Sequence, residues 1–266
     1  MSAAGEQVEE QVLYRVEDGI AFITLNRPEK RNALSDDVVR QLRRTLVRMD
    51  DDDDAFVGVL HGNGKVFTSG ADVKQRQLRP KEELRKLGGP EERDAKTGDL
   101  PYAMVNWKPL IAAVHGYAMG AGLYLAMMCD LIVAEEGTQF QVTETVRGTD
   151  STRYLMMLAG RSSLGFATDC ALTGRFFSAE EAKAAAAIDR LVAPGTHLAE
   201  AEALARQILE LPPLAVRQIV EARRQINEEI ELQGRIRRSR TLHLSDDFRE
   251  SASSFMEKRK ANFQGA

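Results

Sequence analysis

Apolar and polar positions along the chain fall into short, recognisable periods. Residues 12–17 and 20–25 carry alternating or continuous apolar runs on either side of Asp18-Gly19. That dipeptide suits a turn with positive φ, so the pattern predicts a tight β-hairpin. Polar residues 26–32, with Pro28, read as a loop. Ser35-Asp36-Asp37 then predicts a helix N-cap, because Val38, Val39, Leu42, Leu46, Val47 and Met49 recur at helical spacing on one face. The aspartates at 50–54 lack the glycine and alternate spacing of a calcium loop, so a solvated turn between helix and strand is expected.

Runs at 56–61, 66–68, 110–114 and 131–134 are short and apolar, which predicts buried strands. A glycine-rich turn after the third run leads into a helix through Met127. Residues 75–100 turn strongly polar, with Pro80, Gly88, Gly89 and Pro90, the character of a lid or mobile loop with helical turns of its own. Strand-strand-helix units recur through the first two thirds, an α/β pattern with parallel pairings, while the chain beyond about Ser178 reads as nearly all helical. We therefore expect an α/β core over residues 1–195 and a helical region over 196–266.

Composition narrows the class. With 266 residues, 43% of them hydrophobic, the chain can bury a sizeable core, which excludes a disordered, collagen-like or disulfide-stapled protein. The balance of 36 basic against 40 acidic side chains gives a net charge of −4 and argues against general nucleic-acid binding. Cys129 and Cys170 sit in apolar stretches and read as reduced packing residues. No apolar run approaches the roughly 20 residues needed to span a bilayer. The acidic N-terminus lacks the order of a secretory signal, so a cytoplasmic or organelle-matrix location is expected. His61, His115, His197 and His243 offer no metal-ligand spacing, and no metal is expected. His115, at the end of a buried strand, reads as a structural imidazole.

Chemistry concentrates in residues 111–131, IAAVHGYAMGAGLYLAMMCDL. A strand runs into Gly120-Ala121-Gly122 and straight into a helix, whose unpaired N–H groups favour developing negative charge. The spacing fits neither G-x-G-x-x-G nor a phosphate-cradling loop. Close strand-to-helix packing is the plainer reading of those glycines. A second small-residue turn stands upstream, in Phe67-Thr68-Ser69-Gly70-Ala71-Asp72-Val73-Lys74. Two such turns can aim two backbone N–H groups at one oxygen, as an enolate or tetrahedral oxyanion requires.

The pair of turns closely resembles the crotonase family, also called the enoyl-CoA hydratase/isomerase superfamily. The resemblance extends to Leu25-Asn26-Arg27-Pro28 with Asn32-Ala33-Leu34, to residues 140–144, to Leu172-Thr173-Gly174 with residues 179–182, and to the tail 255–260. It covers almost the whole chain in family order. It implies an α/β fold, a crotonase-like spiral of ββα units with a helical C-terminal region for oligomerisation and part of the CoA site, assembled as homotrimers or pairs of trimers. It also implies an acyl-CoA thioester substrate, with coenzyme A arriving as part of the substrate and no permanently bound cofactor.

Residue by residue, the resemblance implies that the backbone N–H groups of Ala71 and Ala121 receive the thioester oxygen and that Glu144 moves the proton. Tyr124 stands where a hydratase carries glutamate; its neutral hydroxyl cannot act as a carboxylate base. Asp150 either approaches the acyl group or caps the helix beginning near Thr152. Lys30, Arg31, Ala33, Ser69, Ala71, Asp72, Val73 and Gly120, with Phe255 and Lys258 of the tail, correspond to substrate- and CoA-binding positions. One carboxylate suits double-bond isomerisation of an unsaturated acyl-CoA. Hydration across the 2,3 double bond is the alternative, followed by an acyl-CoA hydrolase or a non-catalytic, RNA-binding protein. For the last, Arg235, Arg237, Arg238 and Arg240, near Arg223 and Arg224, supply a basic run, although neighbouring acidic residues make a salt-bridged helix surface or a subunit contact the better reading.

Overall fold

In the computed structural model, which describes residues 10–76, 78–87, 106–237 and 241–266, the Asp18-Gly19 turn forms as the sequence predicts. Both residues have positive φ, 49° and 85°, and β1 (Val12–Glu17) pairs antiparallel with β2 (Ile20–Leu25). The helix α1 (Asp36–Asp51) starts where Ser35 accepts a hydrogen bond from the Val38 amide at 3.3 Å. It buries Val38, Val39, Leu42, Leu46 and Met49, each such side chain contributing about 1.5–3 kcal/mol. The strand β3 (Val57–Gly62) follows, then two short helices, α2 (Val73–Arg76) and α3 (Lys81–Leu87). Most of the polar segment expected to form a lid, residues 88–100, lies outside the described residues.

Next come β4 (Leu110–Val114), β5 (Tyr117–Met119), α4 (Ala121–Met128), β6 (Leu131–Glu135) and β7 (Gln139–Gln141). The remainder is α5 (Thr152–Ala159), α6 (Leu164–Thr173), β8 (Phe176–Ser178), α7 (Ala179–Ala184), β9 (Arg190–Val192), α8 (His197–Leu209), α9 (Pro213–Arg237) and α10 (Asp246–Glu257). A six-stranded sheet has the order β1-β2-β3-β4-β6-β9, parallel except for the hairpin, and a three-stranded sheet has the order β5-β7-β8.

Alternation along the large sheet makes two buried faces. Ala21, Ile23, Leu25, Leu60, Ala112 and Val114 join the main core with α1 and α4. Ile20, Phe22, Val57, Val59, Ile111 and Val133 face Ala201, Leu204 and Ala205 of α8. All eight residues of α4 are buried, so the helix that follows the glycine turn runs through the centre of the protein.

Several expectations are corrected. Residues 66–68 form no strand; Thr68 makes only an isolated bridge to Ala118, because the chain there is turning toward Gly70. The region past Ser178 is nearly all helical as expected, and β9, a three-residue strand within it, completes the edge of the large sheet. The aspartates at 50–54 are not simply a solvated turn. Asp50, in the last turn of α1, accepts from the Trp107 and Lys108 amides at 2.7 and 3.0 Å, while Asp52 accepts from the Tyr14 hydroxyl at 2.8 Å. The buried Lys108 ammonium in turn caps the end of α1 on the carbonyls of Met49 and Asp52.

Of the basic run, Arg224 is buried against Asp130 at 2.7 and 3.0 Å, and Arg223 reaches the Cys129 carbonyl. These two side chains brace α9 against the sheet, and Arg224 is buried away from any polyanion. Arg237 is exposed; Arg238 and Arg240 lie outside the described residues. Cys129 and Cys170 are both buried and free. Among the described residues no helix is long and apolar enough to cross a membrane.

Candidate active site

Two turns meet above the large sheet. The Thr68 amide donates to the Tyr117 carbonyl at 3.2 Å and the Met119 amide donates back to the Thr68 carbonyl at 3.3 Å. Only glycine fits where they touch. Gly70 has φ of 84°, and a Cβ on it would lie 2.3 Å from the Met119 carbonyl oxygen and 3.5 Å from the Ala121 nitrogen. A Cβ on Gly122 would lie 2.5 Å from the Thr68 methyl and 3.5 Å from the Gly70 nitrogen. The Ala71 and Ala121 main chains are thereby brought beside each other.

Neither amide is spent. The Leu34 amide donates to the Gly70 carbonyl and the Asp72 amide to the Leu34 carbonyl, a bridge that passes on both sides of the Ala71 N–H without using it. Ala121 opens α4, where a first-turn N–H has no partner within the helix. Among the described residues neither N–H donates a hydrogen bond.

The loop 26–34 holds the upstream turn rigidly. Asn32, 1% exposed, donates from its amide to the carbonyls of Asn63, Val66 and Phe67, and its own carbonyl accepts from the Thr68 hydroxyl at 2.6 Å. The Ser69 amide donates to the Arg31 carbonyl. Asp72 accepts from the Gln75 amide at the start of α2 and stands 3.8 Å from the Arg27 guanidinium. Lys30 and Arg31 are exposed on this loop, Ala33 is buried under it, and Val73 begins α2.

Glu144 sits over the second turn. Gly120, at φ 47°, would place a Cβ 2.2 Å from the Thr143 hydroxyl and 2.9 Å from a Glu144 carboxylate oxygen, so bare backbone is required there. The carboxylate is 8% exposed, and burial lifts its pKa from the ordinary 4.5 to about 7. Hydrogen bonds from the Tyr154 and Thr143 hydroxyls, which favour the charged form, oppose that rise. Tyr154 is buried in α5, and its ring meets that of Tyr124 edge-on at 5.3 Å. Tyr124, on α4, is fully buried, with the Arg153 guanidinium 5.7 Å from its ring centre. The set Glu144, Tyr154 and Tyr124 is therefore contiguous.

Tyr154 is a site residue that spacing alone misses: in α5 it reads as one more core aromatic. Asp150, four positions earlier, accepts from the Thr152 amide at 2.8 Å, a local turn one residue ahead of Ser151, which stands at the N-cap of α5. Phe255 and Lys258 stand at the end of α10, with Lys258 in the left-handed conformation at φ 55°. The half-exposed Phe255 ring lies 3.7 Å beneath the Arg147 guanidinium, three residues from Glu144. Among the described residues no hydrogen bond or ion pair joins Phe255 or Lys258 to the loop of Lys30 and Arg31. His115 is structural in geometry: one ring nitrogen is 3.0 Å from the Gly64 carbonyl and the ring stacks on His197 at 4.4 Å.

Known proteins share this arrangement along nearly the whole chain. A family profile described as enoyl-CoA hydratase/isomerase matches residues 15–266. A probable enoyl-CoA hydratase from Rhizobium meliloti (strain 1021) is 32% identical, covering 96% of this chain and 98% of the relative. A probable mitochondrial enoyl-CoA hydratase from Dictyostelium discoideum is 34% identical over 90% of this chain and 86% of its own. The solved structure of a carnitinyl-CoA dehydratase from Mycobacterium avium 104 superposes with a TM-score of 0.77 at 29% identity, over 96% of this chain and 99% of that one. Two glycine turns, an α/β core and these matches lead to one conclusion: the chain belongs to the enoyl-CoA hydratase/isomerase, or crotonase, family of acyl-CoA enzymes.

Proposed function

We propose that this enzyme shifts the double bond of an unsaturated acyl-CoA, holding the thioester oxygen between the Ala71 and Ala121 amides while Glu144 carries the proton. The observation that carries the reading is a carboxylate, Glu144, buried against the Gly120 turn next to two amides that donate no hydrogen bond among the described residues. Ionised Glu144 removes a proton from the carbon next to the carbonyl. Negative charge then moves onto the thioester oxygen, where the two donors stabilise it; losing one such donor typically costs about a hundred- to a thousandfold in rate. Protonated Glu144 returns the proton further along the enolate. A pKa near the working pH suits a group that must both take and return a proton.

In this reading Lys30 and Arg31 hold the CoA phosphates through charge and directed donors. Ala33, Ser69, Asp72, Val73 and Gly120 line the thioester end, and Phe255 with Lys258 reaches CoA at a neighbouring subunit of a homotrimer or a pair of trimers. Coenzyme A comes and goes with the substrate and nothing else stays bound. The buried free thiols of Cys129 and Cys170 fit a reducing cytoplasm or organelle matrix.

Hydration is the second reading, favoured by the names of the relatives. It would use Glu144 with Tyr124 or Asp150 holding water. Incubating the purified enzyme with an enoyl-CoA in oxygen-18 water separates the two. Isomerisation leaves product unlabelled, and label on the β-carbon would overturn the leading reading.

A further inference from the structure

A cavity of about 300 Å³ lies between the stretch leading from α2 into α3 and the N-terminal half of α10. Its lining includes Leu78, Arg79, Lys81, His243, Phe248 and Arg249, and no acidic side chain. Three basic side chains line it, and the carboxylates that meet two of them, Arg79 and Lys81, stand outside the lining.

The cavity flanks the site. Leu78 follows Ala71 by seven residues, four of them in α2, and its amide donates to the Val73 carbonyl at 3.3 Å. On the other side, Phe248 packs on Gly148, whose Cβ would lie 3.1 Å from the Phe248 Cα, and the Ser251 hydroxyl donates to the Val146 carbonyl at 3.1 Å. The segment touched by α10 is the one that begins at Glu144.

The cations differ in how far they are engaged. Arg79 is held by Asp36 at 3.0 Å and Glu83 at 3.4 Å. Lys81 reaches the 80% exposed Asp246 only at 3.8 Å. Arg249 is exposed and, among the described residues, has no ion-pair partner. Leu78 and Phe248 give the cavity an apolar wall, while Arg249 and Lys81 supply charge that nothing in the lining neutralises. An occupant matched to both is a hydrocarbon chain ending in an anion.

We propose that this cavity takes the far end of the acyl chain and that the enzyme prefers acyl-CoA thioesters carrying a distal carboxylate, with Arg249 and Lys81 as the residues that select it. The inference rests on the acyl-CoA reading of the neighbouring site.

The test pairs enoyl-CoA thioesters of matched length, one methyl-terminated and one with a terminal carboxylate. Wild type should show kcat/KM about tenfold higher for the carboxylate, the size of one partly exposed charge-assisted hydrogen bond. Arg249→Gln and Lys81→Gln should each remove most of that preference and leave the methyl-terminated substrate unchanged. Equal rates on the two thioesters in wild type overturn the inference while leaving the acyl-CoA reading intact. So does equal loss on both in the variants. Calorimetry with free CoA distinguishes the other source of anion: if Arg249→Gln weakens CoA itself, the cavity takes a CoA phosphate and the inference fails. If neither thioester is turned over, the proposed reaction fails, and binding of the saturated thioesters decides separately. Tighter binding of the carboxylate form to wild type than to Arg249→Gln supports the inference, and no difference overturns it.

Discussion

Desolvation acts with opposite sign on two groups of ionisable side chains in this protein, one at the glycine turns and one among the histidines. At the glycine turns it lifts Glu144 to about 7. On the α8 face of the large sheet it lowers His61 to about 4 and pulls His197 down as well. Each environment favours the neutral form, because a low-dielectric surrounding penalises charge of either sign. What faces the groups differs. His61 shares a 2.8 Å hydrogen bond with the Thr24 hydroxyl, His197 meets Glu135 at 3.0 Å, and His115 stacks on His197 and hydrogen-bonds the Gly64 carbonyl. Those partners belong to the fold and close the cluster. Glu144 stands instead over Gly120, next to the turn whose Ala121 amide donates no hydrogen bond among the described residues, so an incoming oxygen can be met there within reach of the carboxylate. Desolvation alone makes a stability feature; desolvation next to unspent donors makes a candidate for catalysis.

The largest expected effect breaks the site half of that contrast. Glu144→Gln should lower kcat by roughly a thousandfold, within the usual range for a general acid/base. The raised pKa means that the native state favours the protonated acid, so the wild type loses stability as pH climbs from about 4.5 through about 7. The same variant should therefore be more stable than wild type at pH 8, by on the order of 2 kcal/mol in urea unfolding. Lower activity without that gain would mean that Glu144 is not desolvated.

Gly70→Ala tests the donors. The added methyl meets the Met119 carbonyl at a φ that alanine resists, so stability should fall by about 1–3 kcal/mol. Turnover should drop by about a hundredfold as the two amides part, visible in kcat at a temperature where the variant remains folded.

The histidine half predicts acid sensitivity. A folded pKa below the ordinary 6.5 means that unfolding takes up a proton. His61 should therefore contribute stability above about pH 6.5 that is lost on descent toward about pH 4, a swing on the order of 3 kcal/mol. His61→Gln should flatten that part of the stability curve while turnover at neutral pH is unaffected. The smallest effect is in Tyr154→Phe. Removing a hydrogen bond to the carboxylate should move the inflection of kcat/KM upward from about pH 7, by up to about one unit. An unmoved inflection would separate Tyr154 from the titration.

Local features of the fold were legible residue by residue. Asp18-Gly19 makes its hairpin and Ser35 its cap, because positive φ and side-chain capping are decided within a few residues. The three-residue strands β5, β7 and β8 escape notice, since none is long enough to show a period. Residues 66–68 have strand composition and no strand, because Asn32 captures the carbonyls of Val66 and Phe67. At the site, Gly70, Gly120 and Glu144 stand in motifs that the sequence displays openly. Tyr154 does not, because its role depends on how α5 packs over a turn ten residues earlier.

Family membership, the two glycine turns, the hairpin and the principal helix caps are properties of the order of residues alone, since each rests on local conformational preference or on a long run of matching positions. The ionisation of Glu144, the inward turn of Arg224 and the placing of Arg249 beside an apolar cavity are decided only by the tertiary structure. Desolvation and electrostatic pairing depend on neighbours that the fold brings from distant parts of the chain.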